Sequence, residues 1–292
     1  MSFEIKRRDD VCGVGMYATE PIPYDGLIVR ESPLFIIKEY QKSKVSKEAI
    51  SNALMKLNDE EKEQFRDLFG DNDMMRWRQN HFFIENKLKS YQEKPLGIYP
   101  KCARLNHSCS PNAERVYNDD QTVSLVAIRP IAIGEQITIT YIDNAALFAS
   151  YETRRDLLRK RGIFTTRFKC MCDTCCGNHV KSNINRSLIK ELIPDNSIES
   201  SKEVWKLLKE ENLSARLLSE PEALILVFPS ETTVVIDGLE KQPGLNGKTA
   251  LVRNHDLKRR RLGVTIDNVT VSVCHSKCTP LQKKGFSKNL NA

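Results

Sequence analysis

The chain has 292 residues, 40% of them hydrophobic and 28% charged, with a formal net charge of +7; that is room for one large domain plus a smaller one around an ordinary core. No run of about 18 apolar residues occurs, and the N-terminus MSFEIKRRDD lacks an apolar leader segment, so a membrane span and a signal peptide are not expected, and a nuclear or cytoplasmic protein is. The positive balance suits an acidic partner, but no basic stripe interleaved with aromatics marks specific nucleic-acid reading, and a lysine-rich surface accounts for it equally well.

In chain order, Phe3 to Lys6 is β-compatible, Gly13 and Gly15 flank Val14 in a tight turn, and Leu27 to Glu31 and Leu34 to Lys38 are apolar runs broken by Pro33. From 46 to 69 the apolar residues Ile50, Leu54, Leu57, Phe65, Leu68 and Phe69 recur at helical spacing, predicting two helices broken near Asn58 and Asp59. Met74 to Glu85 is a candidate third helix. Glu114 to Tyr117 and Val123 to Arg129 read as a hairpin around Asn118, Asp119 and Asp120. Gln136 to Ile142 (QITITYI) alternates as a strand does, and Ser150 to Arg161 is a charged amphipathic helix.

Residues 181–231 are mixed, with a helix over Lys202 to Glu211 and a strand over Leu224 to Phe228. A β-rich stretch follows, with strands Thr232–Asp237, Thr249–Asn254, Leu262–Asp267 and Val269–Cys274, and the spacing predicts a small barrel of SH3-like scale over 232–281. The tail from Gln282 is basic and predicted disordered.

Nine cysteines in a reducing compartment point to metal rather than disulfides, and four of them lie between Cys170 and Cys176. Cys170, Cys172 and Cys175 form C-x-C-x2-C, one ligand short of a tetrahedral zinc site. Cys274, His275 and Cys278 lack a standard zinc spacing and read as plain thiols. Lys258 to Arg261 reads as a solvated hairpin tip in preference to a nuclear-import patch. The segment Arg104 to Asn112 (RLNHSCSPN) packs two Asn, a His and a Pro into a few residues, which predicts an irregular loop rather than a strand interior. Polar groups clustered in such a loop suit a polar ligand.

Taken together, Gly13-x-Gly15, then Asn106-His107-Ser108-Cys109-x-Pro111-Asn112, then Gly134-Glu135-x5-Tyr141, then Phe168-x-Cys170-x-Cys172-x2-Cys175 form an ordered set. It resembles the SET-domain protein-lysine methyltransferases, closest to the branch of the SET-and-MYND proteins and their fungal relatives, over roughly residues 3–176. The resemblance implies a β-rich SET fold at 1–150 with a helical insert at about 46–85 and a post-SET zinc segment at 151–180; with the mixed region at 181–231, the small barrel at 232–281 and the tail at 282–292, the whole chain is expected to be α+β. The resemblance also implies the cofactor S-adenosyl-L-methionine, a protein substrate with a target lysine (histones among the candidates), and a monomer. Gly13, Val14 and Gly15 would face the cofactor through their backbone. Asn80, in the phrase NHFFI, would contact its amino-acid end, Asn106 and His107 would bind it, and Phe168 would cover its adenine. Tyr141 would be the catalytic tyrosine and also touch the cofactor. The fourth ligand of one structural zinc would be Cys109, with Cys176 and His179 as rivals.

The chain departs from this pattern in two places. Residues 39–100 contain no Cys, so no MYND finger is expected there. The family's second channel tyrosine has no counterpart in RKRGIFTTRFKC, where Gly162 or Thr166 stands in its region. That departure motivates an alternative, a SET protein without catalysis that serves as an interaction scaffold through 232–281. A basic nucleic-acid-binding protein is the third reading.

Overall fold

The computed structural model describes residues 2–7, 13–37, 45–84, 95–160, 170, 172–256, 261–274 and 277–280. Phe168, Gly162, Thr166, His275, Lys258–Arg260 and the tail from Gln282 lie outside the described residues. Among those described, no helix is long and apolar enough to cross a membrane. The chain divides into two compact units, Met1–Tyr141 with Leu157–Cys172, and Ile142–Asp156 with Asp173–Ala292.

The first unit is built from short strands: β1 (Phe3–Arg7), β2 (Val14–Ala18), β3 (Leu27–Glu31) and β4 (Phe35–Ile37) come first. Helices α1 (Lys47–Met55), α2 (Asp59–Arg66) and α3 (Asp73–Asn80) follow, then β5 (His81–Phe83), β6 (Leu96–Ile98), β7 (Asn106–His107), β8 (Ala113–Tyr117), β9 (Val123–Ala127) and β10 (Gln136–Ile139). They form three small sheets, ordered β1-β2-β10-β7, β3-β9-β8 and β4-β6-β5. One core gathers Met16, Tyr99, Leu105, Leu125, Ile137 and Ile139, and a second packs the insert helices on β4 and β6 through Phe35, Ile50, Phe65, Trp77 and Ile98.

The helix breaks have local causes. Ser46, Asn58 and Asn72 each cap the helix that follows, and Asn58 with Glu61 forms a reciprocal capping box, which stops one helix and starts the next at the predicted break. The predicted hairpin is β8–β9, whose turn places Gln121 in the left-handed region at φ 67°.

Several expectations are corrected. The third helix ends at Asn80, and its predicted C-terminal part is the strand β5, paired with β6. Asn106 and His107 are not in a loop: they pair in parallel with Thr138 and Ile139, a long-range ladder that local composition does not register. The QITITYI strand stops at Ile139, two residues before Tyr141.

The second unit contains α4 (Asn144–Leu147), the first part of α5 (Tyr151–Lys160), α6 (Asp173–Cys176), α7 (His179–Leu192), α8 (Ile198–Glu210) and α9 (Glu220–Val227). The predicted strand at Leu224–Phe228 is therefore helical as far as Val227; an uninterrupted apolar run does not tell a buried helix from a buried strand. Strands β11 (Thr233–Ile236), β12 (Thr249–Asp256), β13 (Arg261–Ile266), β14 (Val269–Cys274) and β15 (Cys278–Pro280) form one antiparallel sheet, ordered β14-β13-β12-β11-β15. Among the described residues its outer strands β14 and β15 do not pair with each other, so the four predicted strands gain a fifth but close no barrel.

In the helical part the fully buried Arg186 pairs with Glu211 at 2.9 Å, while Ser182 and Asn185 donate to the same carboxylate. Arg186 also donates to the Leu147 carbonyl. Glu211→Ala would strand that guanidinium in the interior, an expected loss of about 3–5 kcal/mol, measurable by urea unfolding. A loss below about 1 kcal/mol would contradict the pairing.

Candidate functional site

The site is assembled where β2, β7 and β10 lie side by side. Gly13 opens β2 at φ +65°, a conformation that a side chain resists. Gly15 sits within β2, opposite Lys6. A Cβ there would collide with Gln136 Nε2 and come within 3.1 Å of Asn106 Nδ2. Glycine therefore lets two amide side chains close over the strand. Asn106 Nδ2 donates to the Val14 carbonyl at 3.2 Å, whereas Gln136 Nε2 is buried with no hydrogen-bond partner. An orphaned buried donor is costly and suits a ligand rich in acceptors. Gly15→Ala should weaken binding of such a ligand by at least about tenfold without unfolding the chain; calorimetry checks it, and unchanged affinity would contradict the close approach.

The entry to β7 is fixed by Glu31, which accepts from the backbone N–H groups of Lys101 and Cys102 at 2.7 and 2.9 Å. Burial pushes its carboxyl up, partly offset by those two donors. The exit is fixed by Asn112, only 1% exposed. Its Oδ1 accepts from Thr138 N–H at 2.8 Å, and its Nδ2 donates to Gln136 O at 2.8 Å and Glu135 Oε1 at 3.0 Å. Glu135 in turn pairs with Arg129 at 2.7 Å. Asn112→Ala is expected to cost about 2–4 kcal/mol, since these partners would be left buried and unpaired; a denaturant titration measures it, and a loss within 0.5 kcal/mol, roughly a surface substitution's effect, would contradict the role.

His107 and Tyr141 meet where the β10 ladder ends. Past the last pair, Ile139 with His107, the Tyr141 N–H donates to His107 Nδ1 at 3.0 Å in place of a strand carbonyl. That bond makes Nδ1 the acceptor, so the neutral ring carries its hydrogen on Nε2, which lies 3.4 Å from Cys109 Sγ. The Tyr141 hydroxyl donates to the Leu105 carbonyl at 2.5 Å. Burial pushes the phenol up to about 12, and the Arg115 guanidinium pulls weakly the other way. The group is a neutral phenol at physiological pH.

Asn80 is 5% exposed, and its Nδ2 donates to Phe69 O and Arg76 O at 2.8 and 2.7 Å. Its amide N–H groups thus tie α3 to the segment before it, one carbonyl lying ahead of the helix and the other within it.

The sulfurs of Cys109, Cys170, Cys172 and Cys175 all lie within 4.8 Å of one another. A tetrahedral zinc with bonds of about 2.3 Å requires sulfurs about 3.8 Å apart, so the donor set fits that ion in number, chemistry and scale. Cys176 is exposed, and the His179 ring stacks on Tyr151 at 4.7 Å.

The sequence reading missed Gln136 and Glu31. Gln136 opens an alternating strand, where a polar residue is ordinary, and Glu31 ends one; neither carries a local signal.

Residues 13–142 match the family model described as the SET domain. The chain is 34% identical over 165 residues to the histone-lysine N-methyltransferase set5 of Schizosaccharomyces pombe, covering 56% of this chain and 47% of that protein. It is 39% identical over 96 residues to the histone-lysine N-methyltransferase SMYD3 of Homo sapiens, covering 33% of this chain and 20% of that one. It is 36% identical over 80 residues to the protein-lysine N-trimethyltransferase SMYD5 of Gallus gallus, covering 27% and 18%. The chain thus spans about half or less of the length of these relatives.

Proposed function

With a SET domain at residues 13–142, we propose that this chain is a protein-lysine N-methyltransferase that uses S-adenosyl-L-methionine and holds one structural zinc. The observation that carries the reading is the neutral, half-buried Tyr141 hydroxyl, oriented by Leu105 and placed beside His107. S-adenosyl-L-methionine, when bound, supplies an electrophilic methyl group on a sulfonium.

The Val14–Gly15 backbone, Asn106 and the unpartnered Gln136 amide would hold this cofactor, whose amino-acid end offers a carboxylate to N–H donors. Asn80 would add its side-chain oxygen. Gly13, His107 and Phe168 complete the set that the family resemblance assigns. A lysine amine, with a solution pKa of about 10.4, must be neutral to act as a nucleophile. The apolar packing around Tyr141 disfavours the ammonium form. The Tyr141 oxygen accepts a hydrogen from the amine and fixes the direction of its lone pair. Cys109, Cys170, Cys172 and Cys175 would bind the zinc as thiolates.

The relatives' names place methylation on histone or protein lysines, and the substrate here is proposed as a protein lysine, in the nucleus or cytoplasm. The test is incubation of the purified chain with methyl-labelled cofactor and a panel of histones and lysate proteins. Label on lysine is expected. Absence of cofactor binding by calorimetry would overturn the proposal, and binding without transfer would favour the scaffold reading.

A further inference from the structure

The strand β8 turns one cation toward the site. Ala113, Arg115 and Tyr117 alternate onto the same face of the strand, and Ala113 and Tyr117 belong to the core that Tyr141 and Phe82 also pack against. The guanidinium carbon of Arg115 lies 4.5 Å from the centroid of the Phe82 ring. The same guanidinium is close enough to act electrostatically on Tyr141 and Cys102.

Among the described residues of this unit, Arg115 is the half-buried arginine without an acidic partner. In the same unit Arg30 pairs with Asp120, Arg76 with Asp73, Arg104 with Asp67 and Arg129 with Glu135. Arg115 makes the Phe82 contact but, among the described residues, no hydrogen bond and no ion pair. The half-buried guanidinium keeps its five donors for water or for an incoming acceptor. Stacking on the Phe82 ring holds the fork in place, so that little freedom is lost when an acceptor arrives. A lysine ammonium approaching Tyr141 would meet this positive charge with repulsion. A carboxylate beside that lysine would reverse the sign and form a charge-assisted pair.

We propose that Arg115 is a specificity-determining residue: it favours target lysines that have an acidic side chain next to them in the substrate. This deepens the proposed function and rests on the reading of Tyr141 as the residue that receives the lysine.

The experiment uses the full chain and two fluorescent peptides with one central lysine, flanked on both sides by Glu or by Gln. Binding is followed by anisotropy, and transfer by labelled methyl donor on the same peptides. The native chain is expected to bind the Glu peptide about tenfold tighter, a difference of about 1.4 kcal/mol. Arg115→Gln should bring the ratio to about one with the Gln peptide unaffected. Should that variant fail to fold, the native chain alone still decides: raising the salt should shrink its preference. Equal binding of both peptides by the native chain, a preference kept in folded Arg115→Gln, or a preference indifferent to salt would overturn the assignment. A binding preference without methyl transfer would leave it standing and refute the proposed activity.

Discussion

Tyr141→Phe should lower methyl transfer by roughly 100–1,000-fold, the size of effect that follows loss of one preorganised polar contact in an active site. The substitution removes an oxygen and little else. The ring keeps its place against His107, with centroids 5.5 Å apart, and the backbone N–H keeps its bond to His107 Nδ1. Cofactor affinity should therefore stay within a few-fold of the native value. What is lost is the oxygen proposed to orient the amine, and with it the donor to the Leu105 carbonyl, worth about 1 kcal/mol of stability. A second signature is alkaline. The phenol titrates near 12 in the folded chain against an ordinary 10.0. Between those values the native state holds a proton that the unfolded state has released. Tyr141's contribution is thus complete below pH 10 and lost as pH rises toward 12. Burial raises the Tyr99 phenol as well, but Tyr99 is present in both proteins, so the difference between native and Tyr141→Phe unfolding curves isolates Tyr141. Unchanged turnover in the variant would remove Tyr141 from the chemistry.

Cys109→Ser is the second large effect. The native chain is expected to carry about one zinc, and this variant to lose it on dialysis against a mild chelator. Structural zinc contributes much of the folding free energy of small metal sites, so a fall in Tm of roughly 10 °C is expected. Cofactor affinity should fall with it, because Cys109 lies two residues from the His107 that receives the Tyr141 N–H. Cys176→Ser is the control: its side chain is exposed, and both metal content and Tm should stay native. Elemental analysis with scanning calorimetry reads both variants. Full zinc in Cys109→Ser would break the link between metal and cofactor segment.

The parts of this fold that were readable in the residues are those whose causes are local. The Asn58 capping box announces its own helix break, and the hairpin at β8–β9 is written in the polar turn between two apolar runs. The NHSC segment was recognisable by its order relative to the terminal cysteines, and the four predicted sulfurs do come together. What stayed hidden depends on distant partners. Asn106 and His107 become a strand only because Thr138 and Ile139 arrive beside them. Asn80 reads as a ligand contact by analogy, yet its amide N–H groups are engaged by Phe69 and Arg76. The orphaned Gln136 amide and the stacked Arg115 are ordinary polar positions in an alternating strand until the third dimension shows what surrounds them. The run at Leu224–Phe228 was ambiguous for another reason: apolarity alone does not choose between helix and strand.

The cysteine quartet also sets a clock during synthesis. A ribosome adds about 5–20 residues per second, so Cys109 emerges several seconds before Cys170, and for that interval the nascent chain has one of the four clustered thiols. The segment that holds Asn106 and His107 must wait, paired with β10, while α4 and α5 are being made. The residues proposed to bind the cofactor are thus joined to the metal late, and a chain arrested between Tyr141 and Cys170 should already contain every described strand of the first unit and yet retain no zinc.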